Sequence, residues 1–355
     1  MTTAATSIDP TGVRFTGKPV HDAPIGPGDT LVLMGHTDAV RSALTRLSAN
    51  AEALTAPDPA ATPRARVAKY VRATTGADAR DTRFTALAHA CGLRIEAHAR
   101  TRIRDLDPEQ CFALRLAAAL AGTGSVLVLD DPFAALPEHA RLGARRTVMQ
   151  VAGKHDLGIV LATTDVMDAA LLGGTLTVLE KDQVAQTGPL AEHLSEPRSN
   201  LAARWSGVNV FSGLARRGRL SIGHSQVRAR TELDGKVFVT IPTDAATVSF
   251  DEFDPAFTEG ATVFEAVVTA IRENSGLLQL TLSPADTEVG LAMSADWLDF
   301  RPAALAAAPE PRTPEAGVLH PGLGASVAEQ TARVVVGARV WVEVDTARMH
   351  PYSVE

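Results

Sequence analysis

LVLMGHTDAVRSAL, residues 31–44, is the stretch on which the reading of this chain turns. Leu31–Met34 form a short apolar run of the kind buried as a central strand, and Gly35 follows where the chain must turn. The residues after it lead into a helix, so the whole is a strand–turn–helix junction. Backbone N–H groups at such a junction converge on an anion, most readily where glycines let the backbone approach closely. Gly35 is the first glycine of a phosphate-cradling pattern, Thr37 lies inside it, Arg41 supplies a cation, and Ser42 supplies a hydroxyl where magnesium would be held. Two residues oppose that pattern. Asp38 places a carboxylate beside any phosphate, and Val40, being β-branched, resists a positive φ. Arg41 is longer and forked, so it replaces a compact ammonium only in part.

Working outward, SVLVLDDP (125–132) and GIVLATTD (158–165) read as two more buried strands, each a continuous apolar run suited to a parallel sheet. Residues 64–103 and 138–152 have helical patterns. TLTVLEKDQVAQTG (175–188) reads as a hairpin turning at Lys181-Asp182. Strands alternating with helices indicate a mostly parallel α/β sheet. Near Gly207 the character changes to short β-rich segments, KVFVTI, TVFEAVVTAI, LLQLTLS and ARVWVEV, which suit a small OB-like barrel. Residues 302–326, rich in Ala, Pro and Gly, read as a loop or linker.

Composition narrows the function classes. The 355 residues suggest two or three domains, and a formal charge of −7 argues against nucleic acid as the main partner. Residues 64–104 are locally basic, with ten Lys and Arg against Asp78, Asp81 and Glu96, and read as a solvated helical face. Cys91 and Cys111 have no metal or redox spacing. No apolar run approaches the ~18 residues of a membrane span, and MTTAATSIDP has no export-signal character. The expected location is the cytoplasm, or the inner face of a membrane through a partner.

The order of these pieces resembles the ATP-binding subunit of an ABC transporter, most closely importer subunits for molybdate and related oxyanions with a C-terminal β-barrel extension. VLVLDDPFAAL, LATTDVMDAALL, TLTVLEKDQVAQTGPLAEHL and EPRSNLAARWSGVNVFSG carry the resemblance, with VVVGARVWVEVDTARMHPY at the end. It implies an α/β, P-loop-type ABC ATPase domain with a mostly parallel sheet over residues 1–206. An all-β, OB-like barrel of the TOBE/Mop type follows over 207–355. ATP and Mg2+ would be the cofactors. A transmembrane permease and a second ATPase subunit, in a homo- or heterodimer, would be the partners.

The resemblance also assigns roles. Asp130 matches the carboxylate that reaches magnesium, with Ser42 as the other metal ligand. Asp131 stands in for a glutamate that polarises the attacking water, and is one methylene shorter. Thr164 replaces a histidine at the γ-phosphate and carries no charge. In LDPEQ (106–110), Gln110 is the family's glutamine, but Asp107, Pro108 and Gln110 together spell a helix start with a capping box. Pro137 takes the place of an aspartate that communicates across the dimer, and no glutamine between 44 and 105 serves the family's glutamine loop. In the barrel, Asp345 stands where a lysine is usual, which disfavours a bound oxyanion. The expected function is therefore an ATP-binding subunit of an oxyanion importer with impaired hydrolysis. The alternatives are a non-hydrolysing scaffold or regulator, or a cytosolic oxyanion-binding protein.

Overall fold

The computed structural model describes residues 7–181, 183–222, 225–227, 231–249, 261–274, 277–284, 298–300 and 335–354. The chain divides into two compact units, Met1–His193 and Leu194–Glu355. Among the described residues no helix is long and apolar enough to cross a membrane.

The first unit opens with a two-stranded ribbon, β1 (Arg14–Phe15) and β2 (Lys18–Pro19), followed by β3 (Thr30–Gly35), α1 (Thr37–Ser48) and the short β4 (Ala53–Leu54). Four helices come next: α2 (Val67–Thr75), α3 (Thr82–Ala90), α4 (Ile95–His98) and α5 (Pro108–Leu120). The chain then alternates through β5 (Val126–Asp130), α6 (Glu138–Lys154), β6 (Gly158–Ala162), α7 (Val166–Leu172), β7 (Thr175–Glu180) and β8 (Gln183–Gly188).

Six strands form one mixed sheet in the order β4-β5-β6-β3-β7-β8. All neighbours run parallel except β7 and β8, which form the antiparallel hairpin expected from sequence. Leu31, Val32, Leu33 and Met34 have no exposed surface, as the continuous apolar run requires of a strand covered on both faces. Helix α1 contributes Ala39, Ala43, Leu44 and Leu47, spaced to lie on one face, to the core that holds Leu31, Leu33, Val126, Val128 and Val160. Each leucine so buried stabilises the unit by about 1.5–3 kcal/mol.

Helices α8 (Leu190–Ser195) and α9 (Asn200–Ser206) follow, and the boundary between the units falls inside α8. The described strands of the second unit form two five-stranded antiparallel sheets. The first contains β9 (Val208–Arg216), β10 (Arg219–Ile222), β11 (Ser225–Val227), β12 (Gly235–Pro242) and β18 (His350–Ser353) in the order β11-β10-β9-β12-β18. The second contains β13 (Ala246–Ser249), β14 (Ala261–Asn274), β15 (Leu277–Pro284), β16 (Leu298–Phe300) and β17 (Arg339–Asp345) in the order β13-β17-β14-β15-β16.

The segments KVFVTI, TVFEAVVTAI, LLQLTLS and ARVWVEV lie in β12, β14, β15 and β17. Val340, Val342 and Val344 alternate inward along β17 and pack with Phe211, Ile241 and Leu282, the period of two that a one-sided strand requires. The loop expected at 302–326 lies outside the described residues.

Candidate functional site

Gly35 ends β3 with φ +129, and a Cβ there would lie 1.9 Å from the Leu179 carbonyl oxygen on β7. The next residue donates its N–H to that same carbonyl at 2.8 Å. The glycine at this turn is therefore demanded by close strand approach as well as by its dihedral. Helix α1 begins two residues later, at Thr37, with His36 as an N-cap that makes no side-chain bond. The Val40 N–H already donates to the His36 carbonyl at 3.0 Å, so residues 37–42 are wound into helix and not held as an open loop.

That winding decides where the side chains go. Residues four apart share a helix face, and neighbours are rotated by roughly 100°. Thr37 and Arg41 open into a cavity of about 670 Å³, together with Gly35, Asp130, Asp131 and Thr164. Asp38, Ser42 and Arg46 open into a second cavity of about 580 Å³, with Arg14, Phe15 and Lys181. The structure thus brings Gly35, Thr37, Arg41, Asp130, Asp131 and Thr164 together and leaves Ser42 apart.

Gln110 also stays outside the larger cavity. Its side-chain oxygen accepts the Asp107 N–H at 3.2 Å, while the Asp107 carboxylate accepts the Gln110 N–H at 2.7 Å. The reciprocal pair is a capping box on α5 with Pro108 in its first turn, as LDPEQ spells out in sequence.

The carboxylate end of the larger cavity stands on β5 and the turn after it. Asp130 is exposed at the strand end, and Asp131 is half-buried with φ +38. The Asp131 N–H donates to the Ala162 carbonyl at 2.9 Å, which continues the β5–β6 pairing past the strand end. Burial, then the carboxylates of Asp168 and Asp130, push the Asp131 carboxyl above the ordinary aspartate range.

Behind Asp131 lies a polar network that sequence reading missed. Arg145 on α6 has a side chain 8% exposed and donates from Nε to Asp168 at 2.6 Å and from an Nη to Asp165 at 2.7 Å. The Thr163 hydroxyl donates to the other Asp168 oxygen, and the guanidinium stacks over Phe133 at 5.6 Å from the ring centroid. Every charge in it has a partner, so it fixes the turn carrying Thr163 and Thr164 to α6 and α7.

Arg115 is the second omission. It is the lone basic residue in the otherwise largely apolar helix PEQCFALRLAAAL, which was its legible signal. It lines the larger cavity, donating from Nε to the Ala56 carbonyl at 3.3 Å and from Nη1 to the Asp130 carbonyl at 3.2 Å. Asp58, Pro59, Ala60 and Pro63 also line the cavity, and just before them the Tyr70 hydroxyl donates to the Pro57 carbonyl at 2.7 Å.

A magnesium ion does not fit the ligands assigned to it. Ser42 and Asp130 open into different cavities, and among the described residues no group of three or more His, Cys, Asp or Glu side chains is spaced to hold a metal. An anion fares better, because Arg41 and Arg115 reach the larger cavity from α1 and α5. In the second unit the Asp345 carboxylate accepts the Ala347 N–H at 2.9 Å and caps the turn Thr346–Arg348, so it has a structural task.

In sequence the chain is similar to ATP-binding subunits of ABC importers. It is 34% identical over 163 residues to the molybdenum import ATP-binding protein ModC of Mycobacterium tuberculosis, covering 44% of each chain. It is 25% identical over 198 residues to the molybdate/tungstate import ATP-binding protein WtpC of Pyrococcus horikoshii, covering 56% of each. A sulfate/thiosulfate import ATP-binding protein, CysA 2 of Agrobacterium fabrum, is 31% identical over 124 residues, 34% of this chain and 36% of that one. The chain thus spans about half the length of the curated relatives it matches. No protein-family model matches it. Among solved structures, the dimeric bacterial ABC transporter cassette MJ0796 aligns with a TM-score of 0.41 and 16% identity, over 48% of this chain and 89% of that one.

Proposed function

We propose that this chain is the ATP-binding-type subunit of an ABC importer for molybdate or a related oxyanion, and that its hydrolysis of ATP is impaired. In this reading residues 1–206 form the nucleotide-binding domain and 207–355 a TOBE/Mop-like barrel. The subunit pairs with a second ATPase subunit and sits on the cytoplasmic face of the membrane through a permease. The similarity to molybdenum and molybdate/tungstate import proteins supports the transport assignment.

One observation carries the impairment: α1 is wound from Thr37, so Arg41 and Ser42 diverge into separate cavities. A phosphate loop works by converging backbone N–H groups, a cation and a hydroxyl on one triphosphate. Here Val40 has spent its N–H inside the helix, and Ser42 is turned away from the carboxylates. Gln110, the candidate on α5, is occupied in a cap. Gly35, Thr37, Arg41, Asp130, Asp131 and Thr164 remain as the residues that a nucleotide in the larger cavity would meet.

The second reading, a scaffold or regulator that keeps the fold without turnover, draws on the same separation. It differs in requiring no hydrolysis at all. A third, a cytosolic oxyanion-binding protein, is disfavoured by the capping role of Asp345.

Hydrolysis of Mg·ATP by the purified protein tests the reading. The expected rate lies far below the ~1–10³ s⁻¹ of ordinary enzymes. Turnover in that range, abolished by Asp131→Asn, would overturn the impairment. Calorimetric titration with ATP and then molybdate separates the three readings: ATP alone supports the subunit, molybdate alone the oxyanion binder, and neither the scaffold.

A further inference from the structure

We propose that the larger cavity binds its phosphate-bearing ligand without a divalent cation, with Arg115 supplying the fixed positive charge beside Asp130 and Asp131. The inference rests on the nucleotide-binding reading above and specifies how that site is balanced.

Three observations carry it. The first is the separation of the two residues assigned to a shared metal, Ser42 and Asp130, which open into different cavities because α1 is helical from Thr37. The second is the anchoring of Arg115. Its Nε and Nη1 each donate to a main-chain carbonyl, Ala56 before α2 and Asp130 at the end of β5, at 3.3 and 3.2 Å. Carbonyls orient a guanidinium without neutralising it, and two of its five N–H donors account for both bonds. Among the described residues neither Arg115 nor Arg41 has a carboxylate within ion-pair distance. The third is the charge count of the lining. Arg41, Arg104 and Arg115 stand against Asp58, Asp130 and Asp131, an even count in which Arg104 is also paired with Asp105 at 3.5 Å.

A divalent cation is held where carboxylates outnumber the cations around them. Here it would meet two guanidiniums that have no acid partner, and like charges a few ångströms apart repel strongly outside bulk water. A phosphoryl group meets the opposite situation. Guanidinium forks match its oxygens two at a time, which a spherical ion cannot do. Asp58 accepts the Ala60 N–H at 2.9 Å as the cap of the turn Pro59–Ala61 and keeps its charge. The ligand class is therefore a free polyphosphate, a nucleoside triphosphate or pyrophosphate, and not its magnesium complex. Asp130 and Asp131 limit the affinity, so binding is weak.

The test uses the full chain, with ATP and inorganic pyrophosphate titrated in EDTA and in excess Mg2+. Excess Mg2+ converts both probes to their magnesium complexes, so apparent binding is expected to be at least about tenfold weaker there than in EDTA. Arg115→Ala, checked to melt like the parent, is expected to weaken binding in EDTA by about tenfold or more, and Arg115→Lys by less. Equal or tighter binding in excess Mg2+ overturns the inference and leaves the nucleotide reading standing. Unchanged binding by a folded Arg115→Ala also overturns it. No binding of either probe under either condition overturns the nucleotide reading itself, and the inference with it.

Discussion

Arg41 and Ser42 are neighbours in the chain and open into different cavities, one facing Asp130 and Asp131, the other facing Arg14 and Lys181. Helical winding from Thr37 rotates one side chain away from the other by roughly 100°. Unwinding the first turn is therefore the direct test of what separates them. The variant Val40→Gly removes a β-branched residue from the first turn and leaves the Arg41 guanidinium in place. Nucleotide affinity, read by calorimetry, is expected to rise. No change would mean that this segment is not near the phosphate.

Gly35→Ala is expected to destabilise the first unit severely, by about 3 kcal/mol or more. The added Cβ meets the Leu179 carbonyl at 1.9 Å, a backbone atom that cannot swing aside, and the φ of +129 is strained for alanine. Chemical denaturation measures the loss. A change under 1 kcal/mol would show that β3 and β7 are further apart than described.

Removing the guanidinium at Arg145 leaves Asp168, 1% exposed in its side chain, as an uncompensated buried carboxylate. Arg145→Ala is expected to cost about 3–5 kcal/mol. The double variant Arg145→Ala with Asp168→Asn checks the cause: recovery of most of the loss assigns it to the unpaired carboxylate. No recovery would assign the loss to packing against Phe133 instead.

Asp131→Asn is expected to raise the melting temperature by a small amount, about 0.5 kcal/mol of stability after allowing for solvent screening. The Asp131 carboxyl is raised in the folded protein by burial and by Asp168 and Asp130. A raised group contributes stability that is fully present below its unfolded value of 3.8 and is lost as pH climbs through the folded one. The gain on substitution should accordingly be greatest at neutral pH and vanish near pH 4. Asparagine also tolerates the φ of +38 at this position. A gain that does not vary with pH would point to the backbone alone.

Asp107→Ala deletes one half of the capping box on α5 and is expected to cost about 1 kcal/mol. Nucleotide affinity should not move, because neither Asp107 nor Gln110 lines the larger cavity. A loss of affinity with unchanged stability would place this helix start at the ligand.

The strands were legible because each is an uninterrupted apolar run with turn residues on either side, and the parallel sheet, the β7–β8 hairpin and the α5 capping box all followed from local pattern. Six of the candidate site residues were legible for a related reason. Gly35, Asp130, Asp131 and Thr164 sit at or just beyond strand ends that the sheet brings together, while Thr37 and Arg41 sit on the helix that follows β3. Arg115 and Arg145 were not legible in the same way. Each reaches its partners from a different helix, at separations of 15 to 59 residues for Arg115 and 20 to 23 for Arg145.

What the sequence determined by itself was therefore the order of elements, the glycine at the β3 turn and the polar residues at the strand ends. What the tertiary structure decided was which of them meet. A motif is a spacing along the chain, and spacing becomes geometry only once the backbone is a loop or a helix. Winding α1 from Thr37 sent Ser42 into a different cavity from Asp130, and the packing of α5 among its neighbouring helices brought Arg115 to the Asp130 carbonyl, because side-chain direction follows from backbone dihedrals and packing.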